Sequence, residues 1–241
     1  MTGTVINIVA VLIGGTLGTL LGARLPEKMR DTVMNGLGLV TLVLGLSMAL
    51  QSKNLLIVMA SVLVGGVLGE WWRIEDGLES IGGWLEARFG RPDDAAAGRS
   101  VTRGFVTASL VFCVGPMTVM GSLLDGLTGN YHLLAIKSLL DGFASLAFGA
   151  SLGPGVLFSA VTILIYQGGL SVAAHAFGAN LAGIQADTPA VVEMGATGGV
   201  LIMGIGLMLL NLKRIRLSNF LPAIAIAPLI VILLERLGVV L

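Results

Sequence analysis

Eight apolar runs, at 3–23, 34–50, 55–72, 104–124, 132–150, 154–175, 190–211 and 218–235, each approach the length a helix needs to cross a bilayer. About 20 residues at about 1.5 Å each cover the roughly 30 Å of hydrocarbon. In most of these runs apolar residues cover every face, which predicts spans rather than amphipathic helices of a soluble core. Composition agrees: the 241 residues are 55% hydrophobic and 12% charged, against about 25% charged in soluble domains. The expected fold class is an all-α polytopic membrane protein of about eight transmembrane helices, in contact with the lipid bilayer. Its formal net charge is zero, so nothing draws it to nucleic acid. The opening Met1-Thr-Gly-Thr lacks a basic leader region, so the first run is expected to stay as a span.

Basic residues orient the spans. Arg24, Lys28 and Arg30 follow the first, Arg73, Arg88, Arg91, Arg99 and Arg103 separate the third from the fourth, and Lys213, Arg214 and Arg216 precede the last. With both termini outside, eleven of the fourteen basic residues lie in cytoplasmic segments; Lys53 and Arg236 stay outside and Lys137 lies in the membrane. The positive-inside rule therefore predicts that arrangement. Residues 74–90 place Ile74, Leu78, Ile81, Trp84, Leu85 and Phe89 on one helix face and Glu75, Asp76, Glu79, Glu86 and Arg88 on the other. That pattern predicts a helix lying on the cytoplasmic surface.

A shift of 160 residues aligns Asn7 with Gln167, and Met34, Gly38, Val40, Met48, Leu50 and Lys53 with identical residues at 194, 198, 200, 208, 210 and 213. Five spans separate the copies, so the copies run in opposite directions. The expected organisation is a first three-helix repeat at 1–72, an interfacial helix and linker at 73–103, a central hairpin at 104–150 and a second repeat at 151–241. Spans 1–3 and 6–8 would then be inverted repeats, a transporter signature when a site lies at their interface.

The central hairpin carries the chemistry. Ser122-Leu-Leu-Asp125-Gly126 returns as Ser138-Leu-Leu-Asp141-Gly142, and Lys137 shares a helix face with Asp141. Counting from residue 132 puts Asp141 roughly 13 Å deep, near the midplane. Pro116 has no N–H to donate, which leaves the carbonyl of Phe112 free. Broken helix at that depth is tolerated only where protein or water satisfies it. Intramembrane charge is costly and marks a functional site by default. Ser122, Asp125, Lys137, Ser138, Asp141 and Gln167, which lies in the interrupting Tyr166-Gln167-Gly168-Gly169, are thus the candidate binding residues for a small polar solute or ion. Asp125 and Asp141 would carry cations or protons, Lys137 would supply the counter-charge or an anion contact, and the hydroxyls and Gln167 would line the path. Asn7 is read like Gln167. The rival reading is a non-transporting scaffold or assembly protein whose Lys137–Asp141 pair is structural and whose Asp125 lies at the outer interface.

The remaining features read plainly. Glu70 and Glu193, at span ends, are expected to face water. Glycines 14, 18 and 22, with the pairs 65/69 and 195/199, form small-residue faces. These favour internal packing over a homo-oligomer interface, which the pattern also allows. One cysteine and two separated histidines, with no Gly-x-Ser-x-Gly, His-Glu-x-x-His or phosphate loop, predict no enzyme, no metal and no cofactor.

Several blocks resemble the YdfK/YqgA-type bacterial inner-membrane proteins: Val11-Leu-Ile-Gly-Gly-Thr-Leu-Gly18, Arg24-Leu-Pro-Glu27, Gly69-Glu70, Gly121-Ser122, Lys137-Ser138-Leu-Leu-Asp141 and Ser151-Leu-Gly153. The likeness covers essentially the whole chain. It implies a polytopic helical fold in the bacterial cytoplasmic membrane; it supplies no substrate and no functional residues.

Overall fold

The structure is a computed structural model that describes residues 1–22, 26–90, 99–181 and 187–238. Among them there is no strand. Helices α1 (Thr2–Gly22), α2 (Glu27–Ala49), α3 (Leu55–Trp72) and α4 (Ile74–Phe89) are followed by α5 (Val101–Cys113), α6 (Pro116–Thr128) and α7 (His132–Leu152). A 3-10 turn at Pro154–Phe158, the short α8 (Ser159–Ile163), a π-helical turn at Leu164–Gly168 and α9 (Gly169–Leu181) form one continuous run. α10 (Pro189–Leu209), a 3-10 turn (Leu217–Phe220) and α11 (Leu221–Arg236) complete the chain. The expected basic residues Arg24 and Arg91 lie outside the described residues.

Seven of these helical runs are long and apolar enough to cross a membrane, and the bent pair α5–α6 makes an eighth if it is one span. The expected fold class holds: an all-α polytopic membrane protein. The chain forms two compact units, one of Met1–Gly36, Glu79–Cys113 and Met117–Gly183, the other of Leu37–Leu78, Val114–Pro116 and Ile184–Leu241.

In the first unit, α1 lies against α7 along its length. A side chain at Gly14 would strike Gly142, one at Gly18 would strike Leu146, and one at Gly22 would strike Ala150. The constant offset means the two helices run in the same direction, backbone to backbone. The glycine ladder is therefore spent inside the chain, because only hydrogen at Cα lets helices approach so closely. The same unit shows how the bent pair runs. At its start, Gly104 packs on Gly155 and Val156, beyond the C-terminal end of α7; at its finish, Gly121 packs on Leu134 near the N-terminal end. The pair thus covers the same thickness as α7, as a broken span and not a hairpin that returns. The break itself is Val114–Gly115, where Gly115 takes φ +146° and the two halves diverge by 63°.

In the second unit, glycines set two antiparallel seams. Gly38 meets Leu210 while Gly45 meets Gly199 and Met203, so α2 and α10 run oppositely. Gly65 meets Ala223 and Gly69 meets Asn219, which sets α3 against α11.

Helix starts need partners for their free N–H groups, all the more where water is scarce. Carboxylates from other elements supply them. In the second unit, Glu193 of α10 accepts from the backbone N–H of Lys53 (2.7 Å) and Asn54 (3.1 Å) and from Ser52 Oγ (2.6 Å), at the head of α3. It is 1% exposed. The expectation that Glu193 faces water is therefore corrected: a carboxylate outside its own helix was needed to close the head of α3, and the requirement is non-local. Glu70 does stay exposed, bonded to Arg216 and Asn219. Glu75 accepts from Ser218 N–H (2.9 Å) while its own N–H donates to Asn219 Oδ1 (2.7 Å), a reciprocal pair at the heads of α4 and the last helix. In the first unit, Glu86 caps α5 through Thr102 N–H (3.2 Å), Thr102 Oγ1 (2.7 Å) and Ser100 Oγ (2.8 Å). Burial alone would raise the Glu86 carboxyl; the hydrogen bonds from Thr102 and Ser100 and from the Thr102 and Val101 amides outweigh it and hold the group below its ordinary value. So α4 differs from its expected polarity: the buried Glu75 and half-buried Glu86 face protein, while Trp84 stays 65% exposed.

Candidate functional site

The site lies wholly in the first unit, where α1, α7, the end of α5 and the π-helical turn converge. Three features of the sequence build it. The Phe112 carbonyl is free, but not through the missing N–H of Pro116: α5 ends at Cys113, its last carbonyls have no donor further along, and Pro116 opens the next helix. That oxygen accepts from Lys137 Nζ at 2.8 Å and from Thr118 Oγ1 at 3.2 Å. The four-residue spacing on α7 then closes an ion pair between Lys137 and Asp141 Oδ2. Finally the π-helical turn, one residue wider than an α turn, carries Gln167 into the interior with no exposed surface.

Asn7 ties these elements together. Its Nδ2 donates to Asp141 Oδ2 at 2.9 Å and to Gln167 Oε1 at 3.0 Å. Gln167 Nε2 continues to Thr4 Oγ1 at 3.4 Å. Two acceptors fix the orientation of the Asn7 amide, since the flipped form would set oxygen against carboxylate. Asn7, near the start of its span, is not among the residues expected to line the site. The signal that could have raised it was its alignment with Gln167 at the 160-residue shift. Lys137 and Asp141 side chains are 7% and 11% exposed.

The other expected residues lie apart. Ser122 and Ser138 donate to the carbonyls of Thr118 and Leu134, four residues back in their own helices, both at 2.6 Å. Their hydroxyl protons are thus occupied. Asp125 receives Gly3 N–H at 3.1 Å and lies 3.2 Å from the Met1 amino nitrogen, capping α1. It is buried by protein, at the N-terminal end of the first span. Among the described residues four carboxylates are buried, and Glu75, Asp125 and Glu193 each hold a helix head. Asp141 does not. It sits in mid-helix, bonded to side chains alone, and both bonds fall on Oδ2. No group of three or more His, Cys, Asp or Glu fit to hold a metal occurs among the described residues.

Chemically, the cluster is a carboxylate, an ammonium, two carboxamides and a freed carbonyl at a helix break. Half-helix C-terminal carbonyls and side-chain oxygens of this kind coordinate small cations, and a buried carboxylate can also take up a proton.

Residues 2–232 match the model of a family described as "Protein of unknown function (DUF554)". The chain belongs to the DUF554 family. Two relatives extend over nearly the whole chain. It is 31% identical over 226 residues to "Uncharacterized protein YqgA" of Escherichia coli (strain K12), covering 93% of this chain and 94% of the relative. It is 26% identical over 242 residues to "Uncharacterized membrane protein YdfK" of Bacillus subtilis (strain 168), covering 99% of each. The expected likeness to YdfK/YqgA-type proteins is thereby established. No solved structure matches this DUF554 chain.

Proposed function

We propose that this protein is a small secondary transporter or channel for a small polar solute or ion, with Asn7, Lys137, Asp141, Gln167 and the Phe112 carbonyl as its polar site. The observation that carries the reading is the position of Asp141: a buried acid paired with a buried base beside a broken span, holding no helix end. Such a pair is expensive to bury; its lysine closes the C-terminal end of α5 through the Phe112 carbonyl, but its acid holds no helix end. Asp125 serves as a cap in this reading, and Ser122 and Ser138 as packing residues. The proposed setting is the bacterial cytoplasmic membrane with both termini outside, supported by the bacterial relatives and the basic-residue bias. Inverted repeats are supported by the Asn7–Gln167 bond, which joins two positions 160 apart, and by the antiparallel seams α2–α10 and α3–α11.

The rival scaffold reading is favoured by the small exposed area of the pair. One experiment separates them. Purified protein in liposomes is tested for dissipation of proton, sodium and potassium gradients with a trapped dye. The wild type is expected to dissipate one of them, and Asp141→Asn to slow it at least tenfold. Equal rates for wild type, Asp141→Asn and Lys137→Ala would leave the pair structural.

A further inference from the structure

The hydrogen bonds around Asp141 leave a remainder that points one way. The Asn7 amide has two N–H groups, and both are spent, on Asp141 and on Gln167. Its Oδ1 is buried and has no partner. Four residues beyond Gln167, in the first turn of α9, stands Ser171, 1% exposed, with its Oγ also unpartnered. The Ser171 carbonyl lies against Gly126. The neighbour of Gly126 is Asp125, whose Oδ2 holds the head of α1 and whose Oδ1 is buried without a partner. One further turn along α9 brings His175, exposed, with Nδ1 3.3 Å from the Gly126 carbonyl. Thr4 closes the line, joined to Gln167 and adjacent in sequence to Gly3.

Buried polar atoms in folded proteins are almost always bonded, and those that are not mark places for water or an ion. Here three such atoms fall between an exposed histidine and the buried acid. Two are acceptor-only oxygens and the third is a hydroxyl that can accept. The Met1 ammonium already holds the other Asp125 oxygen, yet these three acceptors lack donors, which suits a species that brings positive charge or protons of its own. We propose that this line, from His175 past Ser171 and Asp125 to Asn7, is an access path by which a proton or a small alkali cation reaches Asp141. The Lys137 ammonium, held by Phe112 O and Asp141, stands at the path's inner end as a tethered cation that the arriving one displaces. The proposal rests on reading Asp141 as a transport site, and it names the substrate class and the end of the unit from which access is gained.

The test uses accessibility, so that path and site can fail separately. In full-length protein with the single cysteine replaced (Cys113→Ala), Ser171→Cys and Val172→Cys are made. Val172, 52% exposed, lies about 100° around the helix from the buried Ser171. Each variant in liposomes is treated with methanethiosulfonate ethylammonium, a cation, and with its anionic sulfonatoethyl counterpart. Ser171→Cys is expected to react with the cationic reagent at least tenfold faster than Val172→Cys does, and at least tenfold faster than with the anionic reagent. Protection by sodium or potassium chloride over choline chloride identifies an alkali cation. A proton is identified instead by the absence of protection together with dissipation of an imposed pH gradient that is at least threefold slower in Ser171→Ala. Reaction no faster than at Val172→Cys, or equal rates for the two reagents, overturns the path even if Asp141→Asn stops flux. Selective reaction at residue 171 with flux unchanged in Asp141→Asn overturns the site while the path stands.

Discussion

A single methyl group at Gly14 should open the site from two helical turns away. Gly14 lies on the face of α1 that touches α7, and a Cβ there would fall 2.5 Å from Ser145 Oγ and closer still to the Gly142 carbonyl oxygen. The serine could rotate away; the peptide carbonyl could not. Restoring an ordinary contact of about 3.5 Å requires the helices to part by more than about 1 Å. Asn7 sits seven residues back along α1, roughly 10 Å, and its 2.9 Å bond to Asp141 bridges the same seam. Lengthened by roughly 1 Å, that bond passes beyond the range in which N–H···O bonds form. Gly14→Ala should therefore cost about 1–3 kcal/mol from overpacking and about 1.5–3 kcal/mol from a bond to a charged group. Gly36→Ala is the control, since nothing lies within 4 Å of a Cβ there and helix propensity alone predicts a slight gain. Unfolding of the two variants in mixed micelles by graded dodecyl sulfate measures both. Equal stability of Gly14→Ala and Gly36→Ala would refute the claim that close backbone contact between α1 and α7 holds the Asn7–Asp141 bond.

Three further outcomes are expected. Lys137→Met alone should lose about 3–5 kcal/mol, because it strands a buried carboxylate, whereas Lys137→Met/Asp141→Leu should recover most of it. A double variant that is stable yet inactive in liposomes would show the pair is functional; one that retains full flux would show it is not. Glu193→Ala should destabilise by about 2 kcal/mol or more through the opened head of α3, Glu193→Gln by less, and Glu70→Ala, at the surface, by under about 1 kcal/mol, all read in the same unfolding assay. Glu86 supplies the pH prediction. Its folded pKa lies below the ordinary 4.5, so its contribution is complete above that value and is lost as pH falls through the folded one. Amide exchange in the first turn of α5 should accelerate relative to the body of the helix on acidification below pH 4.5, and Glu86→Gln should abolish that acceleration; an unchanged pH response in Glu86→Gln would refute it.

How much of this was legible in the sequence divides along a physical line. Apolar length found the spans because bilayer thickness sets it, residue by residue. Gly115-Pro116 foretold a break and a free Phe112 oxygen, though the oxygen is free because α5 ends at Cys113 and not because Pro116 lacks an N–H. The Lys137–Asp141 pair followed from the four-residue spacing. What could not be read was pairing across the chain. Glu193 and Glu75 cap helix heads more than one hundred residues away, and nothing near either residue announces it. The same holds for Ser122 and Ser138, whose repeat looked like a paired motif. Their hydroxyls bond one turn back along their own helices, as serines in apolar helices commonly do, so the repeat marks helix interiors rather than a lining.

The capping carboxylates also sharpen the argument for Asp141. A buried acid is weak evidence of function whenever structure offers it N–H groups to satisfy, and helix heads in lipid create that demand repeatedly. Glu75, Glu86, Asp125 and Glu193 meet it, each on a helix not its own. Setting these aside removes the acids that a count of intramembrane charge would have pooled together. Asp141 is left with a lysine, an asparagine and an open oxygen. Its partners are side chains that can rearrange, whereas a cap is bound to backbone that cannot move without unwinding a helix. Exchange of a proton or cation requires the first kind of partner. Asp141 is therefore the buried carboxylate on which a transport reading can rest, and Asp141→Asn is the substitution that should separate flux from folding.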